Sequence, residues 1–254
     1  MVIYDLQKAN IWKRISAYLC DVILIGIVAV GMAFLLSMIL GYDTYTERMD
    51  ASYAEYEEKF GVSFDISEQD FAALSDAEKA IYEEAWAALA SDEEFSRTYS
   101  MAISLTVVIL TFSILLAYLL LEFFVPLLLK NGQTLGKKVF GIGVMRADGV
   151  KLTAPLLFVR SILGKYTVET MVPVMIIVMI MLGALGIFGT VLLAALTVAQ
   201  VALLFGTQTR AQIHDKLAGT VVIDMASQMI FDSLEALMAY KNRLHAEKAE
   251  NASY

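Results

Sequence analysis

One unusual pattern occurs twice in this sequence: Glu122-Phe123-Phe124-Val125-Pro126 and Glu169-Thr170-Met171-Val172-Pro173, both E-x-x-V-P and both within or beside long apolar runs. Proline has no N–H, so in a helix the carbonyl four residues earlier loses its donor. In each copy that carbonyl belongs to the glutamate, and a carboxylate and a bare carbonyl converge. A third acid, Asp21, lies roughly 15 Å along the first apolar helix from Ile11, too deep for its side chain to reach water. An ionisable group in a membrane helix costs ~2.5 to 3.5 kcal/mol on insertion scales, so each of these acids needs a partner or a task. Two answers stay open. Asp21, Glu122 and Glu169 could line a hydrated vestibule that holds a proton or a monovalent cation, with Pro126 and Pro173 as the helix breakers at the site. Alternatively, the prolines only kink helices, and the glutamates form structural ion pairs with Arg14, Arg160 or Arg210.

Other motifs fare worse. GQTLGKK at 132–138 fails as a phosphate loop, because Gly132 and Gly136 are one residue too close and Lys138 stands where a hydroxyl is needed. GIG at 141–143 is not a dinucleotide fingerprint, and neither H-E-x-x-H nor G-x-S-x-G occurs. The histidines are His214 and His245, and His214-Asp215 reads as a capping or ion-pair element rather than a metal site. No catalytic residue, cofactor or metal is expected, and the chain does not read as an enzyme.

These residues need a membrane around them. The chain has 254 residues, is 58% hydrophobic and has a mean hydropathy of +0.64. Spanning takes ~20 apolar residues. Residues 15–40 and 101–129 suit one crossing each, while 172–205 suits two, with Gly183, Gly186 and Gly189 at the turn. The net charge of −8 comes from residues 41–100, with 16 Asp/Glu against 4 Lys/Arg; the rest carries 15 Lys/Arg against 11 Asp/Glu. By the positive-inside rule the basic segments and both termini face the cytoplasm and the acidic segment faces out. The basic face suits lipid headgroups, and no basic cluster interleaved with aromatics suggests nucleic acid. Cys20 is the sole cysteine, so no intrachain disulfide forms, and it reads as packing in the first helix. That helix holds Asp21 and no A-x-A-like site precedes Gly41, so a retained anchor is expected rather than a cleaved signal.

The expected fold is an all-α membrane protein of four transmembrane helices with a helical extracytoplasmic insertion and a small cytoplasmic amphipathic helix and β element. The cytoplasmic N-terminus and first span occupy 1–40, the insertion 41–100, the second span 101–130, an interfacial segment with a short hairpin 131–170, the third and fourth spans 171–206, and the cytoplasmic tail 207–254. In the insertion, Tyr45, Met49, Tyr53, Tyr56 and Phe60 recur at helical spacing, and SEQD and SDAE read as capping boxes. Residues 220–224 offer a further strand, and 227–250 reads as a surface helix.

Arg14 and Asp21 on the first helix, NGQTLGKKVFGIGVMRADGVKLT (131–153), Arg160 in FVRSILG, and TRAQIHDKLAGTVVI (209–223) together resemble the RDD family of small bacterial membrane proteins. Asp215 looks like the second aspartate of that name. The resemblance implies a helical membrane domain in a bacterial cell membrane, with transport of an unidentified ligand as the usual suggestion. The insertion departs from the short loop the family leads one to expect. Two functions follow. In the first, a proton-coupled or cation-exchanging transporter uses Asp21, Glu122 and Glu169, gated by ion pairs among Arg14, Arg160, Arg210 and Asp215. Four spans leave little room for a pathway, so a homo-oligomer is expected. In the second, the same charges only lock a membrane scaffold whose outer cap binds a partner.

Overall fold

The computed structural model describes residues 7–129, 131–206 and 211–251. In chain order, α1 is Ile11–Leu40, α2 Tyr42–Phe60, α3 Glu68–Ala73, α4 Asp76–Ser91 and α5 Glu93–Leu129. They are followed by α6 (Leu135–Val139), β1 (Ile142–Arg146), α7 (Ala154–Met181), α8 (Gly186–Gly206), α9 (Ile213–Ala218), β2 (Thr220–Asp224) and α10 (Leu234–Asn251). Helices α1, α5, α7 and α8 contain stretches long and apolar enough to cross a membrane. The chain is a mainly helical membrane protein.

Two of these helices are not α-helical throughout. In α5 residues Leu119–Phe124, and in α7 residues Val159–Met171, follow the wider π register, in which an N–H reaches the carbonyl five residues back. Val125 N–H thus donates to Leu120 O, and Val172 N–H to Thr167 O. Each π segment ends two residues before a proline of the E-x-x-V-P pair. Regular α spacing would demand the missing donor there, and the wider turn redistributes the loss.

The third apolar helix differs from the sequence expectation. It begins at Ala154 rather than near 171, so Arg160, Lys165 and Glu169 lie on a candidate span instead of flanking it. The short hairpin expected in the 131–170 segment, in VMRADGVKL at 144–152, does not form as a strand pair either. Strand β1 pairs antiparallel with β2, from Ile142 opposite Asp224 to Arg146 opposite Thr220, while Val150 forms only an isolated bridge to Phe231. A one-sided hairpin would leave Val144 and Met145 uncovered; pairing with β2 buries them with Val221, Val222 and Ile223.

By its contacts the chain divides into two compact units, one comprising Val30–Ser113 and the other the remainder. In the first, Ser75 and Glu78 form a complete capping box on α4, and Ser67 accepts from Asp70 N–H on α3. Tyr53 packs edge-on against Phe64, Trp86 and Phe95, and Tyr56 Oη donates to Asp92 at 3.0 Å. The expected aromatic stripe is therefore packing. The second unit carries the buried charges.

Candidate functional site

Asp21 and its partners form the first cluster. Asp21 is 6% exposed on α1, and its carboxylate accepts from Thr134 Oγ1 at 2.5 Å and Gly136 N–H at 2.8 Å. Thr134 caps α6, its hydroxyl also accepting from Lys137 Nζ at 3.1 Å. Only glycine fits at 136: a Cβ there would lie 2.4 Å from Ala17 O and 2.8 Å from Asp21 Oδ1. Lys137 Nζ lies 3.7 Å from Asp21 Oδ2, in an ion pair longer than a hydrogen bond. Burial, reinforced by Lys165 and Arg160 and opposed by Glu122 and Asp21, lowers the Lys137 ammonium to a pKa of about 8.

Arg160 organises the second cluster. It is 1% exposed, and its Nε and Nη2 donate to Asp215 Oδ1 at 3.1 and 2.9 Å. Arg14 Nη2 reaches the other oxygen of Asp215 at 3.5 Å, and Thr220 Oγ1 adds a bond at 3.0 Å. Arg160 Nη2 also faces His214 Nε2 at 3.0 Å. A guanidinium only donates, so Nε2 is the acceptor and the proton sits on Nδ1, which donates to Glu169 Oε2 at 2.7 Å. The imidazole is neutral, consistent with burial lowering its pKa. Glu169 Oε1 also accepts from His214 N–H at 2.9 Å, fastening the start of α9 to α7. Gly164 permits that approach, since a Cβ there would lie 2.5 Å from His214 Cβ.

Glu122 stands between the two. It is 1% exposed, and Oε1 accepts from Lys165 Nζ. Its Oε2 is buried and has no hydrogen-bond partner among the described residues. The carbonyl expected to be bare beside it is not: Ser161 Oγ donates to Glu122 O at 2.6 Å. That corrects the sequence reading at Pro126. A polar neighbour on the next helix answers the lost backbone donor, as hydrocarbon requires.

A small cavity of about 40 Å³ is lined by Asp21, Glu122, Glu169, Lys165 and the polar side chains of Thr170, Gln200 and Gln212, among others. The three acids singled out from the sequence thus border one space. A sequence model of the RDD family matches residues 8–219. The chain belongs to the RDD family. No curated protein and no solved structure matches it.

In this RDD-family protein, the residues carrying the resemblance converge: Arg14 and Asp21 from α1, Thr134, Gly136 and Lys137 from the 131–153 block, Arg160 from α7, and His214 and Asp215 from α9. Arg14 is 9% exposed and meets Asp215 rather than reaching outward to headgroups. Among the described residues Glu122 and Glu169 take Lys165 and His214 as ion-pair partners, where one of the two sequence readings offered arginines. Arg210 lies outside the described residues. Sequence reasoning missed Thr134, Lys137, Ser161 and Lys165. Lys165 carried a signal, a basic residue four positions before Glu169 on what becomes one helix, but the placement of the third span concealed it. Among the described residues no group of His, Cys, Asp and Glu is arranged to hold a metal.

Proposed function

We propose that this protein moves protons, or exchanges them for monovalent cations, through Asp21, Glu122 and Glu169 in a bacterial plasma membrane, with both termini cytoplasmic. The observation that supports this reading is the shared cavity bordered by all three acids, together with a buried Glu122 carboxylate oxygen that has no hydrogen-bond partner among the described residues. At about 40 Å³ the space suits a water molecule or an unhydrated small cation rather than an organic solute. A proton or cation arriving at Glu122 competes with the Lys165 ammonium, which also borders a second, larger cavity and can turn towards it. Occupancy of Glu122 would then be exchanged against the position of Lys165. Both residues lie on π segments, which recur at functional sites. Arg14, Arg160 and Asp215 would act as the fixed gate beside it, and a homo-oligomer would complete the pathway.

The test is flux in proteoliposomes. Purified protein enclosing a pH-sensitive dye is challenged with Na⁺, K⁺ and Li⁺ gradients, wild type beside Asp21→Asn and Glu122→Gln. Cation-dependent proton movement is expected in the wild type and in neither variant. Proton movement that survives both substitutions, or its absence from folded wild type, rejects the reading. The alternative is a non-transporting scaffold, and the fully partnered Asp215 favours it. In that case Asp21→Asn lowers the yield of folded protein and no flux is found at all.

A further inference from the structure

The larger cavity, of about 250 Å³, shares Tyr18, Asp21, Lys165 and Gln212 with the small one but differs in charge. Four cationic side chains line it, Arg14, Lys137, Arg160 and Lys165, against one lining carboxylate, Asp21. Their other acidic partners, Asp215 and Glu122, are not among its lining residues. Asp21 accepts from Thr134 and Gly136 and meets Lys137 as an ion pair at 3.7 Å, beyond hydrogen-bond distance, so it leaves the donors of that ammonium largely unused. Lys137 Nζ donates only to Thr134 Oγ1 among the described residues. The bonds of Arg160 run through Nε and Nη2, leaving Nη1 without a hydrogen-bond partner among the described residues.

Cationic donors held in a sheltered cavity, with donor capacity unused, are the features of an oxyanion site. We infer that this cavity binds a small oxyanion, a phosphate or carboxylate group, held by Lys137, Arg160 and Lys165. The volume admits one such group with a short apolar portion against Ile11, Ile15 and Val222, and not a large solute. Two sources offer this chemistry: a soluble anion, or the phosphate of a lipid headgroup. Exposed Trp12 and Tyr18 on the first turns of α1 suit the interfacial depth at which headgroups lie. The site requires no ion movement and stands apart from the transport reading.

The groups facing Lys137 give the binding its pH dependence. Lys165 and Arg160 repel its charge, while Glu122 and Asp21 support it. A bound anion stabilises the ammonium, so affinity falls as pH rises and Lys137 deprotonates.

The experiment is calorimetric titration of inorganic phosphate and of succinate into delipidated protein in a maltoside detergent. In parallel, native mass spectrometry follows the protein with added phosphatidylglycerol. Binding of either soluble anion at one per chain, weakened at least tenfold by Lys137→Gln and retained by Lys137→Arg, supports the site with a soluble ligand. One phosphatidylglycerol retained by the wild type, lost in Lys137→Gln and blocking the soluble anion supports it with a lipid headgroup. Succinate, whose charge is constant from pH 7 to 9.5, should bind the wild type progressively more weakly over that range, and Lys137→Arg evenly. This comparison decides the matter if Lys137→Gln does not fold. No oxyanion or lipid bound, equal binding by folded Lys137→Gln, or the same pH profile in wild type and Lys137→Arg overturns the inference.

Discussion

Asp215 is the residue on which the buried charges depend most. It answers Arg14 and Arg160 at once, and Asp215→Asn keeps the shape while removing the carboxylate that both cations share. Breaking a buried pair on one side costs about 3 to 5 kcal/mol, so this variant should unfold at markedly lower temperature in detergent. A melting point within a degree or two of wild type would mean the arginines draw their support elsewhere. The same residues set the response to acid. Burial alone would raise the Asp215 pKa, but Arg160, His214 and Arg14 hold its carboxyl well below the ordinary range. A carboxyl more acidic in the fold than in the unfolded chain contributes stability above pH ~4 and loses it as pH falls through the folded value. Burial also lowers His214, with Arg160 assisting and Asp215 and Glu169 opposing. The unfolded chain takes up a proton near pH ~6.5 that the folded imidazole resists, so stability declines as pH drops below that point. Thermal unfolding from pH 7 to 5.5 should show this decline in the wild type and a flatter profile in His214→Asn. Parallel profiles would remove His214 as its source.

At the scale of elements, two close approaches hold the site together, α6 on α1 at Gly136 and α9 on α7 at Gly164. In both, an added methyl meets atoms nearer than any real Cβ contact, and at Gly164 one of them is the His214 backbone. Gly136→Ala and Gly164→Ala should each cost about 1 to 3 kcal/mol, as overpacking does, and Gly164→Ala should loosen the His214–Glu169 contact. Gly26→Ala on α1 is the control, because its Cβ meets nothing within 4 Å. Melting curves that rank all three alike would show that these approaches are not constraints. In the sequence Gly136 figured only in a rejected phosphate-loop motif and Gly164 not at all, because close approach between distant segments leaves no local pattern. The π segments were half legible. E-x-x-V-P announced a disturbed helix, but whether a freed carbonyl meets water, an ion or a neighbour depends on the facing helix, and Ser161 was the answer. The third span was misplaced for a related reason. Arg160, Lys165 and Glu169 make its first half look too polar for hydrocarbon, yet each finds a buried partner across the fold.

For the whole molecule, the apolar runs identified four candidate spans because span length and composition are local properties, while pairing across the fold was not readable from them. Asp21 was recognised as needing a partner, but Thr134, Gly136 and Lys137, more than a hundred residues away, were not identifiable as that partner. The orientation of the chain is a further expectation that charge alone supplies. The segment 41–100 carries 16 acids against 4 bases, while Lys8, Lys13 and Lys138 lie at or near the ends of candidate spans. Lys/Arg are retained on the cytoplasmic side, and an even number of crossings returns the chain to the side where it began. Residues of the insertion and of the tail should therefore react from opposite faces. Cys20 is the sole cysteine, so Cys20→Ser provides a clean background for single cysteines at Ser63 and Ser227, both outside the candidate spans. A membrane-impermeant maleimide applied to intact cells should label Ser63→Cys and leave Ser227→Cys unmodified until the cells are opened. The reverse pattern would invert the protein. Equal labelling of both in intact cells would require an even number of crossings between them and would remove one of α5, α7 and α8 from the membrane. Since α8 carries none of the paired charges described above, it would be the first to reconsider.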